Sequence, residues 1–320
     1  MNPYFTLPQI KYFLFSFLTV LIISCQEDTE MPSIAPSTDL IEMEAEGGHS
    51  VVNFPTGNWS ISSIENTNGN NLRIFGDIYF SEDNEPKQNV LLELEGEGRL
   101  ITNWTNKGFT INRSDSNSLE IILRENSTNK QFGFRILLTS DYSHAEITVM
   151  QKPSQGYSFK DINYAVDEGD GDSLYWKSGT TYQFNFQSQQ EVEFQPIGGI
   201  DIHTSYSFDS KAPDAFVWTT SDSLRVKIPS HIQGQEIFFD TEKGLYSDHT
   251  QSRKSPYSEM RESIMVPSGY SELGKSLEMR KRTLSYTLVL TNNRTNEEKH
   301  IEGKWIEISP TGNYKVSWKE

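Results

Sequence analysis

The chain has 320 residues, a single cysteine and a formal net charge of −16. One cysteine rules out an intrachain disulfide, so an exported form has to rely on its hydrophobic core. The acidic surplus argues against nucleic acid or anionic lipid headgroups as partners, because a phosphate-binding surface needs clustered Lys and Arg. Phe, Tyr and Trp are plentiful, Ala is scarce, and Gly and Asn recur every eight to twelve residues or so. No long segment keeps a 3.6-residue apolar period, so the expectation is an all-β protein of mostly antiparallel strands, long enough for two domains.

The chain opens with Lys11 ahead of an apolar run that ends at Ile22-Ile23-Ser24-Cys25. The run is shorter than the ~20 apolar residues of a transmembrane helix and has the form of a secretory signal. Leu21-Ile22-Ile23-Ser24-Cys25 resembles the bacterial lipobox, in which the cysteine is acylated and becomes the first residue of the mature protein. The resemblance implies a signal peptide over 1–24, lipidation of Cys25 and a membrane partner reached through the lipid anchor. The acidic run Glu27-Asp28-Thr29-Glu30 is similar to the signal that sends Bacteroidetes lipoproteins to the outer face of the outer membrane, which implies that location. Pro32 and Pro36 break the polar stretch that follows, so 25–40 reads as a tether.

Strand patterns begin at Ile41-Glu42-Met43-Glu44-Ala45, turn at Gly47-Gly48 and resume at Ser50 to Phe54. Trp59 and Ile61 then share one strand face, the pattern of a sandwich core plug. The span from Asn66 to Lys107 is looser and reads as an insertion. Regular alternation returns in three strands and closes with Ile147-Thr148-Val149-Met150-Gln151 before Pro153. Glu46-Gly47-Gly48, Asn58-Trp59-Ser60-Ile61, the Phe134 to Leu138 strand and that closing strand together resemble the BACON domain. The resemblance covers 41–152 and implies an Ig-like β-sandwich of a family common in exported Bacteroidetes proteins of polysaccharide-utilisation systems. Its implied role is glycan binding or spacing.

A second β-rich domain is expected over 153–320. Asp167, Asp170 and Asp172, with Glu168 and two glycines among them, form a weak candidate calcium loop whose spacing misses the EF-hand pattern. Asp172-Ser173-Leu174 and Asp222-Ser223-Leu224 match a short O-glycosylation pattern of exported Bacteroidetes proteins, which makes Ser173 and Ser223 candidates. Strands follow over Thr181–Phe186, Glu191–Phe194, Ala215–Trp218, Leu224–Ile228 and Glu236–Phe239. Arg280-Lys281-Arg282 reads as a solvated strand end. Arg282 to Leu290 and His300 to Ile306 then make a hairpin about the turn at Asn292-Asn293-Arg294-Thr295. A polar stretch ahead of Val266-Pro267, long strands and a late Gly303-Lys304-Trp305 turn resemble the aerolysin-like pore-forming toxins. That family's implied action needs a stretch with one lipid-facing and one water-facing side, and Tyr246 to Glu262 carries no alternating apolar face.

The six histidines are never spaced as metal ligands, and neither a Gly-x-Ser-x-Gly elbow nor a phosphate loop is present. No cofactor and no enzymatic activity are expected. The leading expectation is a surface-anchored binding or spacer module for polysaccharide or another surface protein, with Trp104, Trp176 and Trp218 as candidate sugar-stacking rings. The alternative is an aerolysin-like pore-forming protein.

Overall fold

The computed structural model describes residues 33–68, 72–81, 85–198, 203–218 and 224–319, and within them the protein is all-β. The candidates Cys25 and Ser223 lie outside the described residues. The first ten strands are β1 (Leu40–Met43), β2 (Gly48–Asn53), β3 (Ser60–Asn66), β4 (Phe75–Phe80), β5 (Lys87–Leu91), β6 (Gly98–Trp104), β7 (Lys107–Asp115), β8 (Ser118–Leu123), β9 (Phe132–Thr139) and β10 (His144–Gln151). They form two sheets, in the orders β1-β10-β9-β3 and β2-β8-β7-β6-β4-β5, with β1 parallel to β10. One core lies between them, drawing Ile61, Ile136 and Val149 from the first sheet and Leu100, Phe109 and Ile121 from the second. Trp59 is buried in this core, its ring 4.3 Å from that of Phe54 and capped by the Arg113 guanidinium at 3.7 Å. Gly47 holds φ +85, and a Cβ there would meet the Leu123 carbonyl at 2.2 Å, so the turn after β1 requires glycine.

The span from Asn66 to Lys107 is not an insertion. It supplies β4, β5 and β6 of the second sheet, and Ile74, Ile78, Leu92, Leu94 and Leu100 from it are all buried. Its apolar residues are isolated among polar ones, so the pattern is thin while the burial is complete.

The remaining strands are β11 (Tyr157–Ala165), β12 (Gly171–Phe186), β13 (Gln190–Phe194), β14 (His203–Asp209), β15 (Arg225–Gln233), β16 (Glu236–Leu245), β17 (Gln251–Lys254), β18 (Glu262–Val266), β19 (Gly269–Asn292) and β20 (Glu298–Lys319). The 24 residues of β19 and the 22 of β20 form one long antiparallel hairpin. The sheet runs β11-β19-β20-β14-β17, and β12 takes the half of β19 that β11 leaves free. Past a break at 187–189 and 267–268, β13 and β18 continue the β12–β19 ladder as a short two-stranded ribbon.

The buried side of β19 changes along its length. Ser271, Leu273, Lys275, Leu277 and Met279 are buried at one end, and Arg282, Leu284, Tyr286, Leu288 and Leu290 at the other. Because strand side chains alternate between faces, this shift from odd to even positions moves the cover from one face of the sheet to the opposite face. A register shift between Leu277 and Met279 lies close to the changeover. Leu277 and Met279 pack with Ile197, whereas Leu284, Tyr286, Leu288 and Trp305 join a larger core with Tyr206, Phe208, Val226, Ile228 and Tyr246. The long hairpin departs from its sequence pattern at two places. Arg280-Lys281-Arg282 is mid-strand with Arg282 only 1% exposed, and Gly303-Lys304-Trp305 lies within β20 instead of at a turn.

Candidate functional site

Between β14 and β17 the chain leaves the sheet and comes back to it. The two strands pair directly from His203–Lys254 to Tyr206–Gln251, and the Phe208 amide donates to the Ser247 carbonyl at 3.1 Å. The chain between those contacts makes an excursion that contains the β15–β16 hairpin. Val226 and Ile228 alternate with Arg225 and Lys227, so β15 has one apolar side, and that side is buried in the larger core. Gly234, at φ +63, closes the hairpin between Gln233 and Gln235. The expected polar stretch from Tyr246 to Glu262 divides otherwise than its composition suggests. Tyr246 is buried among Phe208, Phe216 and Tyr286, β17 pairs with β14, and β18 begins at Glu262.

Specific polar contacts tie the excursion to the sheet. The Tyr164 hydroxyl donates to the Lys227 carbonyl at 2.8 Å, and the Leu245 amide donates to the Tyr206 hydroxyl at 3.1 Å. The Tyr246 hydroxyl lies 3.0 Å from that of Tyr286, and burial pushes the Tyr286 phenol up to about 12. At the point where the sheet changes its covered face, Arg282 donates to the Ser230 carbonyl of β15 and to both oxygens of Asp172, at 2.6 and 2.8 Å. Arg253 of β17 reaches Asp240 of β16 at 2.5 Å and Glu307 of β20 at 3.5 Å. Burial would lower the Arg253 guanidinium, but its hydrogen bond and attraction to Asp240, with Glu307 behind, hold it above the ordinary value. Glu307 is 1% exposed and faces Arg253, Arg280 and Arg282 together.

The sequence candidates are scattered. Trp104 packs at the edge of the first core, 5.8 Å from the Phe132 ring, with Lys107 5.8 Å from its own. Trp176 is 44% exposed on β12 with the Lys315 ammonium 3.9 Å over its ring. Trp218 is 8% exposed, packed against Tyr157 and covered by Lys299 at 3.7 Å, so its ring presents no free face. Ser173 is exposed on β12 and its hydroxyl donates to the Lys281 carbonyl at 3.3 Å. The three aspartates are engaged by the protein itself: Asp172 by Arg282, Asp170 by Lys304 at 2.7 Å, and Asp167 by the Ser285 hydroxyl. Among the described residues no group of three or more His, Cys, Asp or Glu is placed to hold a metal ion. No helix among them is long and apolar enough to cross a membrane, a statement that does not bear on strands.

The excursion was not singled out from sequence, although two of its signals were present there. One is the alternation from Leu224 to Ile228, and the other is Gln233-Gly234-Gln235 between apolar neighbours.

No protein-family profile matches the chain, and no curated protein matches it. Among solved structures, a Bacteroides thetaiotaomicron protein is 17% identical over 40% of this chain and 94% of its own, with a TM-score of 0.25. A lamprey immune protein is 11% identical over 86% and 99%, at 0.33. The parasporin-2 toxin of Bacillus thuringiensis, which recognises cancer cells, is 8% identical over 77% and 85%, at 0.27.

Proposed function

We propose that the protein acts on membranes, and that the excursion between Tyr206 and Gln251 is the part that enters the bilayer. The observation that carries this is the direct β14–β17 pairing at the base of a long segment docked on the sheet. Detached and zipped up in the same register, the excursion of about 44 residues makes a hairpin with roughly 22 residues per arm, about 70 Å long. A membrane-crossing strand needs only about 9–11 residues, so the arms can span a bilayer and still leave a stem.

The side-chain pattern suits that hairpin. Ala212, Phe216, Trp218, Leu224, Val226 and Ile228 fall on one face with Ile237, Phe239 and Leu245 of the returning arm. Lys211, Arg225, Lys227, Glu236, Asp240 and Glu242 fall on the other. Asp214, Asp222, His231, Gln233, Gln235 and Lys243 interrupt the apolar face, and Val217, Ile232, Phe238 and Tyr246 fall on the polar one. Backbone groups in lipid must be paired, so single hairpins would assemble side by side into a closed barrel.

The test is dye release from liposomes by the full chain, combined with an environment-sensitive fluorophore placed singly at 236, 237, 238 and 239, within one arm and away from the turn at 228–229, in a Cys25→Ser background. The expected result is release, with blue-shifted emission at 237 and 239 and water-like emission at 236 and 238. Sealed vesicles, or no alternation, overturn the proposal.

A further inference from the structure

The two cores meet at a joint made by two pairs of contacts. In one, Glu46 of the N-terminal sandwich accepts from Arg294 at 2.6 Å and from Asn292 at 2.9 Å, at the β19–β20 turn. In the other, Glu125 of the sandwich accepts from the Tyr157 hydroxyl and from the Lys299 ammonium, the latter at 2.8 Å.

The second pair continues into the excursion. The Lys299 ammonium also lies 3.3 Å from an Asp214 carboxylate oxygen and 3.7 Å from the centre of the Trp218 ring. The Trp218 indole donates to that same Asp214 oxygen at 3.2 Å, and the Tyr157 ring packs edge-on against Trp218 at 5.1 Å. Thus both groups that Glu125 holds, Lys299 and Tyr157, are in contact with the excursion.

We infer that Lys299 and Tyr157 couple the N-terminal sandwich to the docking of the excursion, so that Glu125 clamps Trp218 and Asp214 against the sheet and displacement of the sandwich releases them. This rests on the excursion being the part that moves. A lysine is a long, flexible stem with three donors, and it stays over an aromatic face only while its other donors are engaged. Glu125 engages them from the sandwich side. Without that carboxylate the ammonium is held only by Asp214 of the excursion itself, so its tie to the sandwich is gone and its cover on the Trp218 ring loosens. Arg294 has no contact of this kind with the excursion; its partners are Glu44, Glu46 and its own turn. Asn292 bridges the two pairs, its amide donating to the Tyr157 hydroxyl at 3.2 Å as well as to Glu46, so Glu46 bears on the excursion only indirectly, through Tyr157, whereas Glu125 does so directly.

The measurement is amide hydrogen exchange on the full chain, comparing Glu125→Gln, Tyr157→Phe, Lys299→Met, Glu125→Gln with Lys299→Met, and Glu46→Gln. Tyr157→Phe keeps the ring on Trp218 and removes only the hydroxyl's bonds to Glu125 and Asn292, so it serves where a charge change disturbs folding. Expected are exchange rates about five- to tenfold faster over 211–218 and 225–245 in each of the first three variants. The double variant should be no faster than Lys299→Met alone, and Glu46→Gln, which reaches the excursion only through Asn292 and the Tyr157 hydroxyl, should speed these segments clearly less than Glu125→Gln. Unchanged exchange in Glu125→Gln and Tyr157→Phe, or an effect of Glu46→Gln of equal size, overturns the coupling. Dye release is read separately. Faster exchange with sealed vesicles keeps the coupling and removes the membrane proposal, and release with unaltered exchange does the reverse.

Discussion

At the scale of single residues the arrangement turns on Glu307. It is a buried carboxylate facing three guanidiniums, and two of these, Arg253 and Arg282, hold the excursion through Asp240 and the Ser230 carbonyl. Removing Glu307 leaves three guanidiniums crowded together with only Asp172 and Asp240 to offset them, at a cost of about 3 kcal/mol. Glu307→Gln should therefore lower the thermal midpoint and loosen β15–β16 more than β12–β19, which hydrogen exchange resolves strand by strand. Uniform loosening of the whole sheet would show that Glu307 supports the fold in general and not the excursion in particular. The role of this cluster was not legible in the sequence. Arg280-Lys281-Arg282 has the composition of a solvated end, and burial of Arg282 follows from the sheet changing its covered face there. The trace of that change is visible only in retrospect, as Leu273, Leu277 and Met279 giving way to Leu284, Tyr286 and Leu288.

At the scale of elements, the strands were easier to read than their company. Alternation located β1, β2, the long hairpin about Asn292 and both strands of the β15–β16 hairpin, because each carries its period within itself. Pairing does not, and so β4 to β6 looked like an insertion and β17 like part of a loop. The excursion's docking is a pairing property of this kind, and it depends on a close backbone approach at Gly244. A Cβ there would stand 2.4 Å from the Tyr206 hydroxyl and 2.5 Å from Cγ1 of Ile228, within the contact between hairpin and sheet. Gly244→Val should push β16 off β14 at a cost of about 1–3 kcal/mol, the range of overpacked sites. Limited proteolysis is expected to cut the variant between β14 and β17 at protease levels that leave the parent chain whole. Equal resistance of the two chains would mean that the hairpin can shift without detaching.

For the whole molecule, the all-β outline is legible in composition and turn spacing, but the joint between the cores is not. Its residues, Glu46, Glu125, Tyr157, Asn292, Arg294 and Lys299, are distant in sequence and are polar in the ordinary way of surface residues. The joint has a pH window whose sign can be worked out. Burial alone would raise the Glu46 carboxyl, but hydrogen bonds from Arg294, the backbone and Asn292 outweigh it and hold the group below its ordinary value. The unfolded chain lacks those donors and takes up its proton first, so this contact stabilises fully above the ordinary glutamate range, about 4.3, and is lost as the pH falls through the lower folded value. Asp170 behaves in the same way: burial opposes, but Lys304 and Ser285 prevail and keep it low. At the alkaline side the Tyr157 hydroxyl is raised by burial and then by Glu125, so its contribution is present below the ordinary tyrosine value, about 10, and fades above it. Exchange at the joint should thus be flat from about pH 5 to 9 once corrected for intrinsic rates, and should accelerate below about pH 4. Glu46→Gln should weaken the joint at neutral pH and remove part of the acid step, whereas an undiminished step would place the responsible carboxylates elsewhere.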